Sequence, residues 1–383
     1  MSDLLLKNVT AVLPDQEIEN ASILISGGKI AQINGEKDST NVLDLQGALL
    51  FPGFIDIHIH GAIGVDANDA DANGLRRAAK FLAENGVTAW LPSLVPDSTE
   101  NYQKSIAAMD EAMQTQDAEQ SGARVLGVHY EGPFVSEKQC GALRTRFFRT
   151  FAGEINLPRL SAANAIHLTT LAPEIEGGIE LIKKLRGENW IVSIGHTRAD
   201  VETLEQALNV GARHLTHFFN AMTGLHHRDV GVVGWGLGEE NVTFDIIADG
   251  IHVAPPMLRF AASTKTPAKT VLISDAVSPA GLGDGEFEIW GEKILVKNGK
   301  TENERGSIAG SVISMLDAAR MMLKLNFSAP EVSRMAGLNP ARVLGIEAEY
   351  GSLEVGKRAD LTALDQNGNV VLTIIGGRVA HQI

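Results

Sequence analysis

Short apolar runs alternate with amphipathic stretches through the middle of the chain. The apolar runs are Phe54–His60, Val87–Val95, Arg124–Tyr130, His167–Ala172, Ile191–His196, Ala212–Phe218, Thr243–Ala248 and Val271–Asp275. They are of strand length and mostly unbroken by polar residues, as expected of parallel strands buried on both faces. Helical spacing appears between several of them, over Gly74–Asn85, Asn101–Gln114, Gly177–Arg186 and Asp200–Val210. Eight such strands predict an α/β fold, a closed (β/α)8 barrel of the TIM type rather than an open sheet. The two ends read differently. Leu4–Val9, Ser22–Ser26, Lys29–Ile33, Val42–Asp44 and Ala48–Leu50 are short strands with Gly27-Gly28 as a hairpin turn. Asp360–Leu364, Val370–Ile375 and Arg378–His381 repeat the style, with Gly376-Gly377 as the turn. Together the ends predict one small β-sandwich domain, residues 1–53 plus 350–383, beside a barrel domain over 54–349. Glu286–Lys297 alternates around Gly291 and reads as a hairpin inserted after the eighth strand.

Composition narrows the class. With 383 residues, 44% of them hydrophobic, 39 glycines and 13 prolines, the chain suits an α/β protein rich in short loops. One cysteine, Cys140, excludes an intrachain disulfide framework and a cysteine-based zinc site. No apolar stretch reaches membrane-spanning length, and Met1-Ser2-Asp3 runs into Leu4-Leu5-Leu6 without a basic leader, so a cytoplasmic protein is expected. A formal charge of −14 argues against nucleic acid or an anionic membrane as partner. An anionic substrate would need a local basic pocket.

Barrel chemistry gathers where strands end on the C-terminal face. The first strand ends with His58 and His60, two apart and therefore on one side. An isolated pair of this kind could also line the core and cap the strand. The third strand ends in His129-Tyr130-Glu131, the fifth in Gly195-His196, the sixth in His217 and the eighth in Ser274-Asp275; Asp249 and His252 follow the seventh. Four histidines and two carboxylates on one rim predict a metal site. His129 and Glu131 share a face by parity, with Glu131 nearer the rim. His214 has odd parity to His217, which predicts packing against the helices. His226 and His227 lie in a polar loop, and Asp56 and Asp249 read as strand-end or capping groups. Asp275 is a candidate general base that returns its proton to a leaving nitrogen.

These motifs resemble the amidohydrolase superfamily and, within it, the N-acetylglucosamine-6-phosphate deacetylases, along essentially the whole chain. The carriers include Pro52 to Gly61, His129-Tyr130-Glu131-Gly132-Pro133-Phe134, Leu171-Ala172-Pro173-Glu174 and Ser193 to Thr197. They continue with Thr216 to Met222, Ile247 to His252, Ile273 to Ala276 and Ile308-Ala309-Gly310-Ser311. The resemblance implies hydrolysis of the N-acetyl group of N-acetylglucosamine 6-phosphate to glucosamine 6-phosphate and acetate. It implies one or two divalent ions, zinc foremost, with iron, manganese or cobalt as alternatives. Glu131, His196 and His217 match the principal metal site, and His58 and His60 a second one, with Glu131 bridging and Asp275 on the other ion. Without a lysine at Leu171-Ala172-Pro173, a carbamylated-lysine bridge is not expected. His252 would bond the substrate carbonyl. Ala142, Asn220, Ala221, Arg228, Ile308 and Ala309 match substrate-binding positions, Arg228 acting across a homodimer interface.

One segment departs from the family pattern. A histidine followed by Asn-Pro is usual after Gly141-Ala142; here the chain reads Leu143-Arg144-Thr145-Arg146. Leu143 cannot donate a hydrogen bond, while Arg144, Arg146 and Arg149 put three positive charges in a loop expected to overhang the site. The acetamido substrate is therefore open between N-acetylglucosamine 6-phosphate, its galactosamine isomer and an N-acyl amino acid. A non-catalytic scaffold would predict losses among the ligands, and all six are present.

Overall fold

The computed structural model describes residues 3–35, 39–119 and 122–383. Eight parallel strands follow one another in chain order: Phe54–Ile59, Val87–Leu94, Gly127–Glu131, Ile166–Leu171, Ile191–Ile194, His214–Leu215, Thr243–Ile247 and Thr270–Ile273. The first two are buried at every position, which is why their sequences run apolar instead of alternating. The ring closes between the last strand and the first. Asp275 N donates to His58 O at 2.9 Å, and Ser274 Oγ donates to the Asp56 carboxylate at 2.5 Å. Burial pushes the Asp56 carboxyl up to about 7, against the bonds from Ser274 and His58 that favour its charge. Asp56 thus fastens the closure beneath the rim.

Helices Ala72–Glu84, Thr99–Glu119, Gly178–Gly187 and Val201–Asn209 lie close to the four expected stretches. Asp71 and Asp200 start two of them by accepting from Gly74 N at 2.7 Å and Thr203 N at 2.9 Å. Their apolar stripes, such as Leu75, Ala78 and Leu82, or Leu181, Ile182 and Leu185, join the core packed around the barrel. Further helices at Gly231–Gly238, Pro255–Lys265 and Met315–Lys324 continue the outer ring. Among the described residues, no helix is long and apolar enough to cross a membrane.

The chain ends combine as the sequence leads one to expect. Leu4–Val12, Glu17–Ser26, Lys29–Ile33, Val42–Asp44 and Leu49–Pro52 share one eight-stranded sheet with Leu361–Leu364, Val370–Ile375 and Arg378–Gln382. Leu49–Pro52 joins the two ends, pairing in parallel with the first strand and antiparallel with Leu361–Leu364. Leu6, Ile23, Ile25, Leu50, Leu361 and Ile374 give this unit its own apolar core. The inserted hairpin is real and gains a third strand: Gly285–Ile289, Glu292–Lys297 and Lys300–Asn303 form a separate antiparallel sheet.

Candidate metal centre and substrate pocket

Six strand-end side chains meet at one point. His58 and His60 bring their Nε2 atoms within 3.2 Å of each other. Glu131 Oε1 lies 2.9 Å from His196 Nε2 and 3.0 Å from His217 Nε2. Its Oε2 lies 3.2 Å from His60 Nε2, and Asp275 Oδ1 is 3.2 Å from the same nitrogen. All six residues are buried. The cluster divides into two groups able to hold a metal ion, His58/His60/Glu131 and Glu131/His196/His217, with Glu131 common to both.

The ring nitrogens test whether this donor set suits a cation. His60 Nδ1 faces the Ser93 carbonyl at 3.1 Å and His196 Nδ1 the Gln139 carbonyl at 2.7 Å. A carbonyl only accepts, so both Nδ1 atoms carry hydrogen and a neutral ring aims its Nε2 lone pair into the cluster. Outer bonds of this kind orient metal-ligating imidazoles. Burial opposes a charged ring, yet Asp275 and Glu131 raise His60 to about 10, and Glu131 raises His217 to about 9. Burial would raise Glu131, but His58, His196 and His217 hold it well below the carboxylate range. Such an assembly fits a divalent ion, whose charge would compensate the buried carboxylates.

The backbone beneath the cluster is unusual. His196, His217 and Asp275 have φ of 48°, 34° and 48°. L-residues seldom adopt this region, and strain of this kind concentrates at functional sites. Gly310, at φ 59°, brings the Ile308–Ser311 segment alongside, where a Cβ would stand 2.9 Å from the Asp275 carbonyl.

A cavity of about 330 Å³ opens over the cluster, lined by His60, Glu131, His196, His217 and Asp275 together with Ala142, Leu143, Asn220, Ala221, His252, Trp290 and Ile308. Ala309 is buried beside it, its N–H donating to Thr301 Oγ1. His252 Nδ1 sits 2.6 Å from Asp249 Oδ2, and Asp249 Oδ1 accepts from Ile251 N and His252 N. Asp249 therefore orients His252 toward the pocket in addition to shaping the loop.

Other residues fall elsewhere. His129 spends both ring nitrogens on Ser93 and Thr170 hydroxyls at 3.1 and 2.8 Å, which leaves Glu131 as the residue of that strand in the cluster. Burial lowers His129 well below the usual imidazole range. His214 does not simply pack against helices. It bonds Thr243 Oγ1 and Asp245 Oδ2 on the neighbouring barrel strand, and Asp245 Oδ1 accepts from His217 N. The strand ends at Leu215 and does not run on through Phe218, so alternation along it does not relate His214 to His217. Arg228 is exposed and lies against a separate groove with Arg198.

The three loop arginines do not line the cavity. Arg144 is drawn to buried Asp97 at 2.6 Å, Arg149 donates to Asp97 O, Thr99 and Asn156 O, and Arg146 covers the Phe147 ring. Leu143 takes the inward place and packs with Val95 and Val135. Trp290, which no sequence motif singles out, stands edge-on 5.3 Å from His60. The available signal was an aromatic residue at a hairpin turn.

Comparison with known proteins agrees with this geometry. The model of the amidohydrolase family matches residues 49–380. An N-acetylglucosamine-6-phosphate deacetylase of Bacillus subtilis is 35% identical, covering 98% of this chain and 97% of the relative. An N-acetylgalactosamine-6-phosphate deacetylase of Escherichia coli O157:H7 is also 35% identical, over 95% of each chain. Among solved structures, an N-acetylglucosamine-6-phosphate deacetylase variant from Mycobacterium smegmatis, in complex with N-acetylglucosamine 6-phosphate, superposes with a TM-score of 0.89. It is 27% identical, over 99% of this chain and all of that one. From the motifs, the barrel and these full-length similarities, the chain belongs to the amidohydrolase family.

Proposed function

We propose that the chain hydrolyses the N-acetyl group of N-acetylglucosamine 6-phosphate, giving glucosamine 6-phosphate and acetate. The observation that carries this reading is the Glu131-centred cluster facing one cavity with both Asp275 and His252 on its wall. The Bacillus relative and the Mycobacterium neighbour carry that activity in their names. The Escherichia relative, equally similar, supports the galactosamine epimer as a second reading, to which Leu143 lends weight.

Glu131, His196 and His217 would hold one divalent ion, and His58, His60 and Asp275 a second, zinc foremost. Bound there, the metal supplies Lewis acidity and lowers the pKa of water. Asp275 takes a proton from the attacking water and passes it to the leaving nitrogen. In the imidazolium form, with Nδ1–H held by the Asp249 carboxylate, His252 donates from Nε2 to the acetamide oxygen. Asn220, Ala221, Ala142, Ile308 and Ala309 form the sugar wall. Arg228 does not line the cavity of its own chain, so it serves the phosphate only if a partner subunit in a homodimer presents it. Residues 1–53 with 350–383 act as a supporting β-domain, and 54–349 as the catalytic barrel.

Acetate release from N-acetylglucosamine, N-acetylgalactosamine and their 6-phosphates tests the reading. Activity confined to the phosphorylated sugars is expected; acetate from none of the four would refute it.

A further inference from the structure

Trp290 occupies an unfavourable place for its residue type. Ile289 pairs with Glu292, so Trp290 and Gly291 form a two-residue hairpin loop, with φ of 54° and 80°. Positive φ at both positions marks a type I′ turn, which selects Asn-Gly or Gly-Gly. A tryptophan there is strained, and nothing in the hairpin requires one. The side chain turns inward instead. It lines the cavity, stands edge-on to His60, and packs against two small apolar clusters, one holding Val277 and Ala309 and the other Val95, Val135 and Leu143. Its Nε1–H is shielded from water and has no acceptor among the described residues. An indole N–H placed this way normally finds a partner. Neighbouring Leu143, Val95 and Val135 have apolar side chains and offer none.

We propose that Trp290 completes the sugar subsite. Its ring packs on the apolar face of the pyranose, and its Nε1–H donates to a substrate hydroxyl or phosphate oxygen that Leu143 cannot serve. This rests on the deacetylase reading above. The strained turn is retained because it delivers a rigid aromatic donor over the metal cluster, a residue the barrel strands themselves do not provide.

The test uses the full-length, metal-loaded protein with N-acetylglucosamine 6-phosphate and its C4 epimer as substrates. Trp290→Phe keeps the ring and removes the donor, so kcat/KM should fall by roughly 3- to 10-fold, the worth of one neutral hydrogen bond. Trp290→Asn removes both and fits the turn. It should lose roughly 30-fold or more in kcat/KM while melting at the same or a higher temperature, as expected when strain is kept for function. Most of the loss should appear in KM. Binding of glucosamine 6-phosphate should shift tryptophan emission in the wild type, and not in Trp290→Phe. If Trp290→Asn is equally stable and keeps wild-type kcat/KM on both epimers, the proposal is wrong. Failure of the wild type to release acetate from either sugar would instead strike at the deacetylase reading.

Discussion

Replacing Asp275 by asparagine separates proton transfer from architecture. Asparagine has the same size and tolerates the φ of 48° that Asp275 adopts at the end of the eighth barrel strand. The backbone bonds there, Asp275 N to His58 O at 2.9 Å and Ser311 N to Asp275 O at 2.7 Å, do not involve the side chain. The fold should therefore survive. What disappears is a buried carboxylate whose Oδ1 lies 3.2 Å from His60 and 3.5 Å from His58. His58 and His60 keep Asp275 ionised despite burial, so in the wild type it is ready to accept a proton. Losing a general acid–base costs at least about 100-fold in kcat. At 1.36 kcal/mol per decade that is about 2.7 kcal/mol of barrier. Acetate release at saturating substrate, elemental analysis and a melting curve should be run on the same preparation. Expected are a normal melt, retained metal at Glu131/His196/His217 and kcat reduced by two decades or more. Recovery of turnover in excess metal would make Asp275 a ligand only. Turnover within a few-fold of wild type would refute the shuttle and move the base to Glu131, the other carboxylate in the cluster.

Four further outcomes are expected. Gently purified protein should contain at least one divalent ion per chain, and Glu131→Gln should lose it; metal-free protein that is active and indifferent to chelators would contradict the site. Asp249→Asn should turn an N–H toward His252 Nδ1 and remove the carboxylate that holds the doubly protonated ring, lowering kcat/KM by roughly 10- to 100-fold, read from acetate release. Arg228→Ala should raise KM for the phosphorylated sugar by about 2 kcal/mol, the scale of a charged hydrogen bond; it should spare the unphosphorylated analogue, and an effect equal on both would remove Arg228 from phosphate recognition. Burial, aided by Arg159, lowers buried His167 to about 4 while its Nε2 accepts from Leu160 N. Its stabilising contribution is thus full above about pH 6.5 and lost as pH falls toward 4, by at most about 3 kcal/mol; denaturant titrations should show a flatter acid limb for His167→Gln.

The barrel was legible because its strands are continuous apolar runs and its ligands sit where those runs stop. His58, His60, Glu131, His196 and Asp275 are all found at strand ends, so reading the rim was enough to collect them. His217 shows the limit. The sixth strand is two residues long, and His217 and Phe219 turn into positive φ, so parity could not describe its neighbourhood. The polar link from His214 through Asp245 to the His217 backbone was hidden for the same reason. Helix Gly231–Gly238 escaped notice because its composition, Gly-Val-Val-Gly-Trp-Gly-Leu-Gly, has no polar face to set a period.

Charge on a loop does not by itself place charge at a site. Arg144, Arg146 and Arg149 suggested a basic overhang, but a charged side chain goes to the partner that best repays its desolvation. For Arg144 that partner is Asp97, only 7% exposed and already bonded to Asn68 and Asn101. Anchoring the arginine outward leaves the inward position to Leu143, and an apolar wall results where positive charge was expected. A polar group beside that wall comes from a hairpin about 150 residues further along the chain, through Trp290. Local reading of residues 141–149 could register the missing donor but not its replacement. The cavity wall at this point therefore belongs to two distant segments, those of Leu143 and Trp290, and is not legible in either alone.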